Sequence, residues 1–172
     1  MFDEKKSLEM IEGFGAHYNY DVEYIKRMIK QAPNAYEKFE AFLPMGSYYE
    51  KTPVEVIFLV KLTIMKYEDC GACLQLNVDM AIEAGVDKDI IKEIVFNAGE
   101  NLTGELKELY EFTLNVAKGE SIDDELYNKI SSKYGDEIMI EIALASAATK
   151  VFPTVKRVLG NIKSCSVIQI KV

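Results

Sequence analysis

Two cysteines three positions apart give the sequence its clearest chemistry. They are Cys70-Gly-Ala-Cys73, inside the stretch YEDCGACLQLN. On or just before a helix, that spacing puts both sulfurs within one turn. A disulfide can close there with little strain, and either sulfur can attack a mixed disulfide at the other. Cys70, in the first turn or at the cap, meets unpaired N–H groups and the positive end of the helix dipole, which favour a thiolate. Glu68 and Asp69 act the other way, because a carboxylate disfavours a second negative charge nearby, although either can accept a thiol proton. Two further readings stay open. Free cysteine is among the most buried residue types, so the pair can be two small hydrophobes. It can also be half of a zinc site, which wants four Cys or His ligands. Only His17 and Cys165 remain to complete one, neither at zinc-finger spacing, so such a site would be shared between subunits.

The elements that must position the pair read as helix almost throughout. Asn19 or Asp21 caps a helix to Gln31, and Pro33 opens another over 34–43. Residues 44–47, Pro-Met-Gly-Ser, break the chain. Thr52-Pro53 starts a long helix with Thr as cap and Pro at the first position, ending near 67–69. The next helix begins at the cysteines and stops at Gly85. Asp87 caps 88–97, and Thr103 caps a helix to Lys118 that Gly119 ends. Ser121 with Asp124 resembles a capping box for a helix to Tyr134. Asp136 opens an Ala-rich helix over 137–152, and Pro153 kinks it or starts a last helix over 154–163. The tail, 166–172, alternates apolar and polar residues as a short strand or extended arm would. The expectation is one all-α domain over residues 1–172. The Ala-rich helix suits either a buried core position or close packing against a partner subunit.

Composition narrows the function. The formal net charge of −8 argues against nucleic acid, because phosphate binding needs concentrated Lys and Arg. Lys26-Arg27 with Lys30, and Lys150 with Lys156-Arg157, read as solvated helix faces. No apolar run approaches the roughly 18 residues of a membrane span; the longest, 54–65, is broken by Glu55 and Lys61. The N-terminus is too acidic for a signal peptide, so the expectation is a cytoplasmic protein with no membrane partner. Three cysteines form no disulfide framework. There is no G-x-G-x-x-G and no P-loop, and nothing suggests flavin or haem, so no cofactor is expected.

A long helix, then Cys-x-x-Cys, then a helix ending in Ala84-Gly85-Val86 resembles the carboxymuconolactone decarboxylase / AhpD-like (alkyl hydroperoxidase D) family, most clearly over 52–97. The resemblance implies a helical homo-oligomer that uses its cysteine pair for thiol–disulfide exchange and peroxide defence. Its substrate would be a small peroxide or disulfide, and its reductant an external dithiol on a thioredoxin-like or lipoyl protein. It implies Cys73 as the reactive thiol and Cys70 as the resolving one. The family's proton relay is absent: Asn77 stands at its His position, Phe58 at its Glu position, and Ala72 where some members carry a His between the cysteines. Asn cannot take a proton near neutral pH but can hydrogen-bond one or orient a water. Glu55, one turn before Phe58, and Glu68 are the substitute carboxylates. His17 reads as a hydrogen-bonded surface or loop residue, or else as one brought near the cysteines from this subunit or a neighbour. Tyr18, Tyr20 and Tyr24 read as core and interface packing, and Cys165 as a structural or adventitious thiol. Two alternatives remain: a non-catalytic or redox-sensing helical oligomer, and a lactone decarboxylase-like enzyme, a branch that generally lacks the cysteine pair.

Overall fold

The computed structural model describes residues 2–162 and 168–170. Among them are eight helices and no strand: α1 (Glu4–Tyr18), α2 (Glu23–Gln31), α3 (Pro33–Ser47), α4 (Val54–Tyr67), α5 (Gly71–Glu83), α6 (Lys88–Phe96), α7 (Gly104–Lys118) and α8 (Asp124–Val158). The all-α expectation holds at this level. Cys165, the expected end of the last helix at Lys163 and most of the 166–172 tail lie outside the described residues. Gln169, within the tail, is in neither helix nor strand and exchanges two hydrogen bonds with the Gln75 side chain, of 2.7 and 2.8 Å.

The centre of the molecule is α4. Every residue from Val56 to Met65 is buried, Lys61 included. A helix apolar on all sides must be covered on all sides, and α5, α6, α7 and α8 pack around it. Fully buried side chains such as Leu59, Leu62 and Ile64 each contribute about 1.5–3 kcal/mol of burial free energy. A second, smaller core gathers Ile11, Tyr24, Ile25, Ile29, Tyr36 and Phe39 from α1–α3. Ala72 and Leu76 on α5, with Phe152 and Val155 on α8, reach into this second core. The cysteines belong to the first. Thus α5 lies along the seam between the two.

Several boundaries differ from expectation for identifiable reasons. Asn19 ends α1 rather than opening α2. It takes the left-handed conformation (φ 49°) that Asn tolerates at a helix C-cap. Thr52 does not cap α4. Its N–H and hydroxyl both donate to the Glu141 carboxylate, and Pro53 takes the cap position. Helix α3 continues through Pro44 to Ser47. There Phe39 and Phe42 pack on Phe152 of α8, with ring centroids 6.1 and 5.7 Å apart. That burial outweighs the one backbone hydrogen bond proline forfeits. The cap of α8 is Asp123, not Ser121. The break expected near 134–136 is present, since Gly135 (φ 73°, ψ 169°) leaves the helical conformation and divides α8 into two helical stretches, whereas the chain stays helical through Pro153. Asp87 caps α6, and Gly119 closes α7.

Helix α8 also corrects the reading of hydropathy. It contains an 18-residue window of mean hydropathy 1.5, long and apolar enough to cross a bilayer by length and composition alone. In this fold it packs on α3, α4 and α7. It also buries Glu141, whose carboxylate ties down the 50–52 loop, a contact that requires the rest of the domain.

Candidate functional site

Asp69, in the left-handed region (φ 50°), reverses the chain between α4 and α5. Arg157 on α8 holds this turn. Its guanidinium bonds the Glu68 carboxylate at 2.6 Å and also reaches the Glu68 carbonyl oxygen. Cys70 becomes the N-cap of α5, and Cys73 lies in the first turn. The two sulfurs are at disulfide distance, with Cα atoms 5.3 Å apart. Both residues are buried, 3% and 2% exposed.

Burial alone would make the pair inert, but Cys73 forms part of the wall of a cavity of about 260 Å³ where α1, α2, α3, α4, α5 and α8 meet. Most of the wall is apolar, with Phe14, Leu43, Met80 and Phe152 prominent. Exposed Ser47 stands at its edge. Cys70 is not on this wall. The geometry therefore separates a sulfur that faces a cavity from one behind it.

The polar groups at the sulfur are ones the sequence did not announce. Tyr20 Oη lies 3.7 Å from Cys73 Sγ. Lys156 Nζ donates to Tyr20 Oη at 3.3 Å and lies 4.5 Å from the centre of the Tyr20 ring. A sulfur in a disulfide can only accept, so the Tyr20 hydroxyl, which accepts from Lys156, shares its one proton between the Cys73 sulfur and the oxygen of the neighbouring Tyr24, to which it is also hydrogen-bonded. Burial first, then the neighbouring Tyr24, push the Tyr20 pKa far up, so this hydroxyl keeps its proton through the neutral range. Lys156, expected on a solvated face, is 2% exposed. Its position on α8 turns it inward between the aromatic rings of Tyr20 and Tyr24.

Local structure explains how Tyr20 arrives. Its N–H donates to the Gly15 carbonyl at 2.8 Å, closing the end of α1. A Cβ on Gly15 would meet the Tyr20 carbonyl oxygen at 3.0 Å and both Val22 methyls at 3.1 Å. Glycine there allows the strand of backbone carrying Tyr20 to fold tightly back over the helix.

The residues expected from sequence are placed as follows. Asn77 lines the cavity, and its side-chain amide donates to the Cys73 carbonyl at 2.9 Å. It therefore fixes the backbone beneath the sulfur. The Glu68 carboxylate is occupied by Arg157. Glu55 is exposed in the first turn of α4 and does not line the cavity. Phe58 is buried, with the Lys61 ammonium 5.2 Å above its ring. His17 is exposed and pairs with Glu83 at 3.3 Å, where Tyr18 also donates to the same carboxylate. These contacts hold Glu83 below the usual carboxylate range, and burial, then Glu83, raises Tyr18 to about 12. Among the described residues no group of three or more His, Cys, Asp or Glu side chains could hold a metal ion.

Compared with protein-family models, with curated proteins and with solved structures, the chain matches none. Its chemistry is read from its own residues: a Cys-x-x-Cys pair at disulfide distance, in a helical fold, beside a buried Tyr–Lys couple.

Proposed function

We propose that the protein is a thiol–disulfide oxidoreductase of the AhpD-like, peroxidase type, with Cys73 as the reacting thiol and Cys70 as the resolving thiol. The observation that carries this reading is the hydrogen bond from Tyr20 to the one sulfur on the cavity wall. In the reduced protein the same hydroxyl, polarised by the Lys156 ammonium, stabilises a thiolate at Cys73. The first turn of α5 adds its unpaired N–H groups. Together they supply by other residues the activation that a histidine would give.

In the reaction, the Cys73 thiolate attacks the terminal oxygen of a hydroperoxide. The O–O bond breaks, the alcohol leaves with a proton, and Cys73 becomes a sulfenic acid. The Cys70 thiol then attacks that sulfur, water leaves, and the disulfide forms. Two electrons from an external dithiol restore the pair through a mixed disulfide. A small disulfide substrate is cleaved by attack of the Cys73 thiolate on one of its sulfurs: the S–S bond breaks, one thiol leaves, and the mixed disulfide on Cys73 is resolved by Cys70 with release of the second thiol. The cavity suits a small, largely apolar molecule.

The test is oxidation of the reduced protein by cumene hydroperoxide, followed by alkylation and mass spectrometry. The expected outcome is loss of both thiols with Cys70–Cys73 disulfide formation. Cys70→Ser should halt at a sulfenic acid on Cys73, and Cys73→Ser should not react. Wild-type protein that keeps both thiols under peroxide and under a small aromatic disulfide would overturn the proposal. It would support a second reading, favoured by the burial of both cysteines: a non-catalytic helical protein in which the pair only fastens the start of α5.

A further inference from the structure

We propose that the cavity beside Cys73 binds a small amphiphilic carboxylate, with its apolar chain among Phe14, Leu43, Met80 and Phe152 and its carboxylate on the Lys61 ammonium. The argument starts from α4. Lys61 sits midway along a helix in which the neighbouring residues on every side are buried, and it is itself 4% exposed. Among the described residues it is the one charged side chain on the cavity wall. No carboxylate of the described residues pairs with it. Its Nζ rests 5.2 Å from the Phe58 ring centre and 5.8 Å from that of Tyr49. Two ring faces attract a cation, but they do not neutralise it.

Methionine would fill this position without taking a charge out of water. A buried ammonium with no counter-ion is costly, and the cost falls when an anion arrives to pair with it. Desolvation lowers the Lys61 pKa to about 8, so the amine is still mostly protonated at neutral pH and ready for that pairing. The rest of the wall selects against other ligands. It offers hydrocarbon on most sides, which excludes sugars and nucleotides. A cationic amphiphile would meet a like charge. What fits both the hydrocarbon and the ammonium is an acid with a short or medium alkyl or aryl chain. This inference stands apart from the redox reading, since binding needs no turnover.

Isothermal titration calorimetry on the disulfide form, with octanoate and with 1-octanol, tests it. Octanoate is expected to bind the wild-type protein. Lys61→Met should lower octanoate affinity about tenfold or more, the worth of one charge-assisted hydrogen bond, while octanol binds both proteins alike. Lys61→Gln, which keeps a polar group without the charge, should behave as Lys61→Met does. The proposal is overturned if octanoate gives no binding to the wild-type protein. It is equally overturned if octanoate affinity survives the loss of Lys61, or if octanoate and octanol weaken together in both variants.

Discussion

The Tyr20 hydroxyl lies 3.7 Å from the Cys73 sulfur, across 53 residues of sequence and from the opposite hydrophobic core. It ties a sulfur on α5 to a residue just beyond the end of α1, and to the buried lysine of α8 behind it.

Removing that donor should be visible in the thiol itself. A hydrogen bond to a charged group is worth about 1.5–3 kcal/mol, or about one to two pKa units. Tyr20→Phe is therefore expected to raise the Cys73 thiol pKa by about that much, and to slow its alkylation at neutral pH by about tenfold or more. Thiolate absorbance and iodoacetamide kinetics across pH measure both. Lys156→Met should shift the thiol in the same direction. An unchanged thiol pKa in Tyr20→Phe would remove the hydroxyl from the chemistry.

Gly15→Ala tests the path by which Tyr20 reaches the site. The added methyl meets a backbone oxygen at 3.0 Å, not the free end of a side chain. The turn must shift, at a cost of about 1–3 kcal/mol, as for overpacking elsewhere. Denaturant unfolding should show that loss, and the Cys73 thiol pKa should rise with it. Gly13→Ala is the control, since nothing lies within 4 Å of its added Cβ.

Glu141 links stability to acid. The Thr52 side chain first, and then the backbone N–H groups of residues 50–52, hold its carboxyl at about 2, below its ordinary 4.5. A depressed carboxylate pKa contributes stability above the unfolded-state value, and that contribution is lost as pH falls through the folded-state value. Glu141→Gln should therefore melt below the wild-type temperature at pH 7. The gap should close between about pH 4.5 and pH 2. Melting temperatures of both proteins over that window check the prediction.

Lys61→Met should be more stable than the wild-type protein at pH 7, by on the order of 1–3 kcal/mol, because a buried unpaired charge is replaced by a side chain of similar size. The Lys61 pKa is about 8 in the fold, against an ordinary 10.5. Between those values the unfolded chain holds more protons, so wild-type stability gains on that of the variant as pH rises. The gap should narrow from about pH 8 to about pH 10.5, as read by urea unfolding at each pH.

Sequence alone disclosed the helical class and the cysteine pair at the head of α5, because both rest on local signals: spacing, caps and apolar periodicity. It missed what non-local packing decides. Thr52-Pro53 carries every local mark of a helix cap, yet a carboxylate 89 residues away claims the threonine. Lys61 and Lys156 look like interruptions or solvated charge because lysine usually is. Their burial follows from α4 being enclosed and α8 facing Tyr20, which no single window contains. A lysine in the middle of the run at 54–65 was the one available hint. Read as a break in hydrophobicity, it marked the wall of a cavity. Tyr20 had only its place in an aromatic, glycine-bearing stretch. Nothing in that stretch connects it to residue 73 until α1 and α5 are packed.

Because α5 runs along the seam of two cores, the cysteine pair sits at a joint. Cys73 is anchored on one side and its hydrogen-bond donor on the other. The Tyr20–Cys73 contact is therefore assembled by docking, not by either part alone. A substitution deep among α1–α3, far from any sulfur, reaches the thiol by altering how firmly that layer sits. The surroundings of Cys73 are therefore expected to report whether the N-terminal helices are in place.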